Sequence, residues 1–196
     1  AINSGQTIGI YLNDGNGNFT LNQELIHEMD NVYQWSLEPT SQRFFDIDND
    51  GCLDLIAGVS FDQKFINEFN FFPYAVYWGD CSGNYYLYSN RTVFPNVLPQ
   101  EIEDYKFQVL GISFIDYDMD GDFDIVSSMA ESPNMNGFYL NLMENKGNRT
   151  FLDVTQEQID DSFFMEQSNT NHHFYRTRIY DIDNDGDFDI IPYHQQ

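Results

Sequence analysis

Aspartates recur at fixed spacing in three nonapeptides: Asp46-Ile47-Asp48-Asn49-Asp50-Gly51-Cys52-Leu53-Asp54, Asp116-Tyr117-Asp118-Met119-Asp120-Gly121-Asp122-Phe123-Asp124 and Asp181-Ile182-Asp183-Asn184-Asp185-Gly186-Asp187-Phe188-Asp189. Each places carboxylates at positions 1, 3, 5 and 9 and glycine at position 6. Carboxylates packed this closely repel one another unless a cation stands among them. Hard oxygen donors in that number suit calcium, which takes about six to eight oxygens at about 2.3–2.6 Å. Glycine permits the sharp turn that wraps the chain round an ion. Position 7 would offer its backbone carbonyl, which leaves its side chain free to vary as Cys52, Asp122 and Asp187. One such stretch could be a plain acidic surface turn, but three in the same setting favour a metal.

The loops are not EF-hands. An EF-hand carries a bidentate Glu at position 12 between two helices, whereas position 12 here is Ala57, Ser127 or Pro192. The flanks are short, β-branched and aromatic: Gln42 to Phe45 and Leu55 to Val59, Ile112 to Ile115 and Ile125 to Ser127, Arg178 to Tyr180 and Ile190 to Ile191. Such runs read as strands, so each acidic loop should join a hairpin.

A second motif alternates with the first. Ile8 to Thr20, Ala75 to Tyr86 and Phe138 to Leu152 each read as strand, Gly/Asn turn, strand. Phe19, Tyr85 and Phe151 stand 66 residues apart each time, and Asp46, Asp116 and Asp181 stand 70 and 65 apart. One period therefore holds four strands, here labelled A to D, with the acidic loop between A and B. Repetition of a four-stranded antiparallel unit points to an all-β protein made of β-propeller blades rather than a sandwich. The expected units are roughly 1–40, 41–107, 108–175 and 176–196 of one propeller region spanning 1–196, about three blades in all. Propellers close with about four to eight blades, so these should belong to a larger ring or be covered by neighbouring chains. Between the units, Thr155-Gln156-Glu157-Gln158 could open a short helix or form a plain loop.

Together the two motifs resemble the FG-GAP/VCBS repeat family, which pairs an Asp-x-Asp-x-Asp-Gly-x-x-Asp loop with a Tyr-Leu-Asn-x-Gly-x-Gly-x-Phe hairpin and is similar to integrin α-subunit propellers. Tyr11 to Phe19 match the hairpin fully, and Gly137 to Asn141 with Phe151 to Thr155 match it well. The middle hairpin departs, with Trp78-Gly79-Asp80-Cys81 in place of Leu-Asn-x-Gly. The resemblance implies a seven-bladed, extracellular, calcium-stabilised propeller used in adhesion or ligand binding. It also implies calcium ligands at Asp46, Asp48, Asp50 and Asp54, at Asp116, Asp118, Asp120 and Asp124, and at Asp181, Asp183, Asp185 and Asp189, completed by the carbonyls of Cys52, Asp122 and Asp187.

The two cysteines lie in one unit, Cys52 in its acidic loop and Cys81 in its C–D turn. In a meander both hairpins point to the same face, and the start of B lies beside the end of C. That register predicts a disulfide, with two buried free thiols as the alternative. A disulfide would place the protein outside a reducing cytosol. Sequons at Asn18, Asn90 and Asn148 add possible glycan sites, two of them at hairpin tips, although an Asn-rich chain produces such triplets by chance.

Composition bounds the function. The net charge of −24 disfavours nucleic acid, which wants basic stripes. The loops hold 14 of the 32 acids, and three calcium ions would bring the charge to −18. With 41% hydrophobic residues the chain is too apolar for an acidic disordered one. Its apolar runs are too short to span a membrane, and no signal peptide is visible. No nucleophile elbow, phosphate loop or dinucleotide fingerprint occurs. His172 and His173 read as a solvated loop, and Tyr33, Trp35, Tyr74 and Trp78 read as packing residues rather than sugar platforms. The expectation is a secreted or cell-surface, non-catalytic calcium module for adhesion, recognition or assembly with a protein or glycan ligand. Alternatives are the propeller of a secreted carbohydrate-active enzyme, such as a polysaccharide lyase, and a subunit of an extracellular filament.

Overall fold

The segments that flank the acidic loops are short, β-branched and aromatic, and they form antiparallel strands. A computed structural model describes residues 7–26, 38–60, 74–85, 91–94, 107–131, 139–159 and 176–193. The strands are β1 (Thr7–Asn13), β2 (Phe19–Ile26), β3 (Glu38–Phe45), β4 (Asp54–Ser60), β5 (Tyr74–Tyr77), β6 (Arg91–Val93), β7 (Phe107–Ile115), β8 (Asp124–Glu131), β9 (Tyr139–Asn145), β10 (Phe151–Asp153), β11 (Arg176–Tyr180) and β12 (Asp189–Tyr193). The described fold is thus all-β apart from one helical turn, α1 (Thr155–Gln158).

Pairing follows the chain. β3, β4, β5 and β6 form one antiparallel meander, and β7, β8, β9 and β10 form a second. β1 pairs with β2, and β11 with β12. The three acidic loops join β3 to β4, β7 to β8 and β11 to β12, each closing a hairpin whose last pair brackets the loop: Phe45↔Asp54, Ile115↔Asp124 and Tyr180↔Asp189. Among the described residues, strand pairing links the two meanders only at Ser60↔Gln108.

Strand alternation sends successive side chains to opposite faces, and here both faces of each meander are buried. From β4 and β5, Leu55, Ala57, Ala75 and Tyr77 pack with Ile10 of β1. Their neighbours Ile56, Val76 and Trp78 pack the other way, against Val109, Ile112, Ile125, Met129, Tyr139 and Met143 of the second meander. The far face of that meander, with Val126, Leu140 and Leu142, meets Ile179 and Ile190 of β11 and β12. The sheets therefore stack face to face in chain order. Burying each large apolar side chain contributes about 1.5–3 kcal/mol, so the junctions between units hold much of the stability. Phe45 stacks on Phe114 with ring centroids 4.2 Å apart across the central junction. There Gly58 lets β4 approach β7 closely, since a Cβ on it would lie 2.6 Å from the Val109 Cβ.

The helical turn after β10 has no side-chain cap. Thr155 opens it, as its sequence allows, but its side chain does not cap it: the hydroxyl is buried and accepts from the Leu142 N–H at 2.9 Å and the Asn141 side-chain amide at 3.0 Å. Asn90, His172, His173, Tyr33 and Trp35 lie outside the described residues.

Candidate metal centres

Each acidic loop is built by its own aspartates before any ion is considered. The first aspartate accepts backbone N–H groups from further round the turn, Asp46 from Asp50 and Gly51 at 3.0 Å each, and Asp181 from Asp185 at 3.2 Å and Gly186 at 3.1 Å. Asp116 accepts from Gly121 at 3.2 Å. The fifth position accepts from the seventh: Asp50 from Cys52, Asp120 from Asp122, Asp185 from Asp187. Short polar side chains that bond their own backbone in this way stabilise turns over regular structure. Glycine at position 6 takes a left-handed φ of 89°, 95° and 103° at Gly51, Gly121 and Gly186. Position 4 is left-handed too, at Asn49, Met119 and Asn184.

This wrapping brings carboxylate oxygens together. One oxygen from each of Asp46, Asp48 and Asp50 lies within 4.8 Å of the others, and the same holds for Asp116, Asp118 and Asp124 and for Asp181, Asp183 and Asp189. Asp54, Asp120 and Asp185 stand outside these clusters. Two buried oxygens in them, Asp48 Oδ1 and Asp116 Oδ1, have no hydrogen-bond partner. A buried, unpaired carboxylate oxygen is costly, and a cation held by the cluster would satisfy it. The donor set, oxygen throughout, fits a hard divalent ion.

The ninth aspartate does structural work as well. Asp54 Oδ2 accepts from the Ile47 N–H at 3.1 Å and Oδ1 from the Gly79 N–H at 2.8 Å, which ties the loop to the end of β5. Asp124 repeats this with Tyr117 at 3.1 Å and Asn145 at 2.8 Å. Burial pushes both carboxyls up to about 6, the backbone bonds pull the other way, and neighbouring aspartates add to the rise.

The first two loops also touch one another. The Asn49 amide reaches Asp122 Oδ1 at 3.3 Å. Asn145 donates its amide to the carbonyls of Ile47, at 3.0 Å, and Phe123, at 3.1 Å. Arg149, in the turn between β9 and β10, donates Nε to Asp48 Oδ2 at 2.7 Å and Nη2 to Asp50 Oδ2 at 3.3 Å. Sequence reasoning missed Arg149. A signal was present: counting back two from Phe19, Tyr85 and Phe151, the residue is Gly17, Gly83 and then Arg149.

Cys52 and Cys81 form a disulfide with Cα atoms 4.7 Å apart, as the hairpin register predicts. The Cys52 side chain is thereby committed, which leaves its backbone carbonyl as its available oxygen. The departing middle hairpin keeps the turn geometry of the first. Asp80 Oδ1 accepts from the N–H groups of Ser82 and Asn84, as Asp14 Oδ1 does from those of Asn16 and Asn18. Of the sequons, Asn18 and Asn148 are exposed in turns, and the Asn18 amide donates to Asp14 Oδ2 at 2.8 Å. Trp78 is a core residue at 3% exposure, which excludes it as a sugar platform. Among the described residues no helix is long and apolar enough to cross a membrane. No protein-family model, no curated protein and no solved structure matches this chain.

Proposed function

We propose that the chain is a calcium-rigidified, extracellular β-propeller module whose role is adhesion, recognition or assembly rather than catalysis. The observation that carries this reading is the threefold recurrence of one geometry: an oxygen-only carboxylate cluster wrapped by a loop that joins two antiparallel strands. The two four-stranded meanders, packed face to face with a two-stranded sheet on either side, support blades as the repeating unit. On this reading about three blades are present and belong to a larger, seven-bladed ring. The disulfide supports an oxidising, extracellular setting, where calcium is abundant.

Calcium's role here is structural. It neutralises each loop, satisfies Asp48 Oδ1 and Asp116 Oδ1, and fixes the hairpin. The ligand is a protein or glycan met outside the cell, held by surfaces that the blades display. Calcium titration by calorimetry, paired with melting curves in calcium and in EDTA, tests this. Each site occupied at about a hundredfold over its Kd adds about 2.7 kcal/mol, so chelation should lower Tm by many degrees. A flat titration with unchanged melting would overturn the reading.

A further inference from the structure

Arg149 occupies a position that asks for glycine. Its φ is +62°, where the corresponding Gly17 and Gly83 have +89° and +76°. An L side chain is strained in this region, and the contacts that the Arg149 side chain makes offset that strain. The guanidinium is held on three sides: by Asp48 at 2.7 Å, by Asp50 at 3.3 Å and by the Trp78 ring, whose centroid lies 4.6 Å away. Its backbone carbonyl accepts from the Thr92 hydroxyl at 2.8 Å. Asp48, Asp50, Trp78 and Thr92 belong to the first meander and its loop, while Arg149 belongs to the second. One residue thus pins the two units together through the acidic loop.

The pairing also divides Asp48. Oδ2 takes Arg149, while Oδ1 is buried and without a partner. Asp50 likewise gives Oδ2 to Arg149 and Oδ1 to the Cys52 N–H. Among the described residues the second loop has no equivalent. The nearby Lys146 pairs with Glu144 instead of a loop carboxylate, and among the described residues no other lysine or arginine pairs with a loop aspartate.

We propose that Arg149 is a resident counter-cation of the first loop, sharing Asp48 and Asp50 with the divalent ion, so that it weakens ion binding there and clamps the two meanders together when the ion is absent. The inference rests on the calcium reading above. A unit positive charge roughly 6 Å from a divalent ion, in water-like surroundings, weakens binding by about tenfold. Linkage then fixes a second consequence. If removing the arginine tightens the ion tenfold, the same removal must destabilise the ion-free protein more than the ion-bound one, by about 1.4 kcal/mol.

The test is a calorimetric calcium titration of the wild type, Arg149→Gly and Arg149→Gln, with melting curves in calcium and in EDTA. The glycine variant relieves the backbone, and the glutamine variant keeps the stem and removes the charge. The expected result is that one site tightens about tenfold in both variants, and that Tm falls by several degrees in EDTA but by less in saturating calcium. In an Asp48→Asn background the same changes should leave the remaining sites within about twofold. Calcium affinities unchanged by either variant, in a protein that does bind calcium, would overturn this inference alone. Tightening that persists beside Asp48→Asn would overturn it too, because the arginine would then act elsewhere. A wild type that binds no calcium overturns both this inference and the reading beneath it.

Discussion

The Asp124 carboxylate accepts a hydrogen bond from the Asn145 backbone N–H at 2.8 Å, across from the start of β8 to the end of β9. Its other oxygen accepts from Tyr117. Asp54 makes the same pair of bonds in the first meander. The last aspartate of each of these loops therefore ties the loop to the neighbouring strands, and Asp124 also joins a carboxylate cluster. Asp120, by contrast, is exposed and bonds only within its own turn. In EDTA, Asp124→Ala should cost about 2–4 kcal/mol, because two backbone donors lose their acceptor. Asp120→Ala should cost less than about 1 kcal/mol. Urea denaturation of both variants checks this, and equal losses would mean that position 9 has no role beyond the ion.

The same two aspartates set a pH dependence. Both carboxyls are pushed up to about 6 from 3.8, chiefly by burial and further by Asp48 and Asp50, or Asp118 and Asp120. Between about 4 and 6 the folded state holds protons that the unfolded state has released. Stability of the ion-free protein should therefore fall as pH rises through that window. On the proposed calcium reading the ion would favour the deprotonated form, so adding calcium should flatten or reverse the trend. Melting curves at pH 4.5 and 7 in buffer stripped of divalent ions should show the higher Tm at pH 4.5. The opposite order would show that these carboxyls are not held protonated by the fold.

Gly79 explains why the middle hairpin departs from its neighbours. Asn13 and Asn145 hold the matching positions in the other two hairpins. A Cβ on Gly79 would lie 2.1 Å from the Leu53 carbonyl oxygen, which is backbone and cannot swing aside. Gly79→Ala should therefore cost at least about 2 kcal/mol by forcing strands apart. Gly15→Ala is the control. It meets nothing within 4 Å and suffers only from its φ of +82°, which should cost about 1–2 kcal/mol. Denaturation midpoints of the two variants compare the mechanisms directly, and a mild Gly79→Ala would mean that β4 and β5 separate easily.

What was legible in the residues is what depends on short spacing. The acidic loops, their flanking strands and the Cys52–Cys81 pairing follow from patterns within a few dozen positions and from the period-2 geometry of strands. What was illegible depends on distant approach. Arg149 meets Asp48 across 101 residues; its place at a glycine position of the repeat marks it as unusual, but nothing local names its partner. Thr155 does open the helical turn, yet burial beneath β9 assigns its hydroxyl to Leu142 and Asn141 rather than to a cap. The inequality among loops also escapes the motif: Asp50 joins the first cluster, whereas Asp124 and Asp189 join the others.

Cys81 shows how one covalent bond holds a backbone that its residue type disfavours. Its φ is +62°, and the corresponding positions in the other turns are Gly15 at +82° and Gly147 at +69°. The bond closes a loop of sequence separation 29, which in the chain-entropy model stabilises by about 3–4 kcal/mol. Replacing both cysteines by serine removes that constraint and leaves a strained residue at 81. Replacing Cys52 by serine and Cys81 by glycine removes the constraint and the strain together. The second variant should therefore be more stable than the first by about 1 kcal/mol, while both melt well below the wild type. Urea denaturation in EDTA separates the two contributions, since calcium would otherwise hold the Cys52 loop in both. Equal stability of the two variants would show that the turn relaxes out of the left-handed region once the bond is gone.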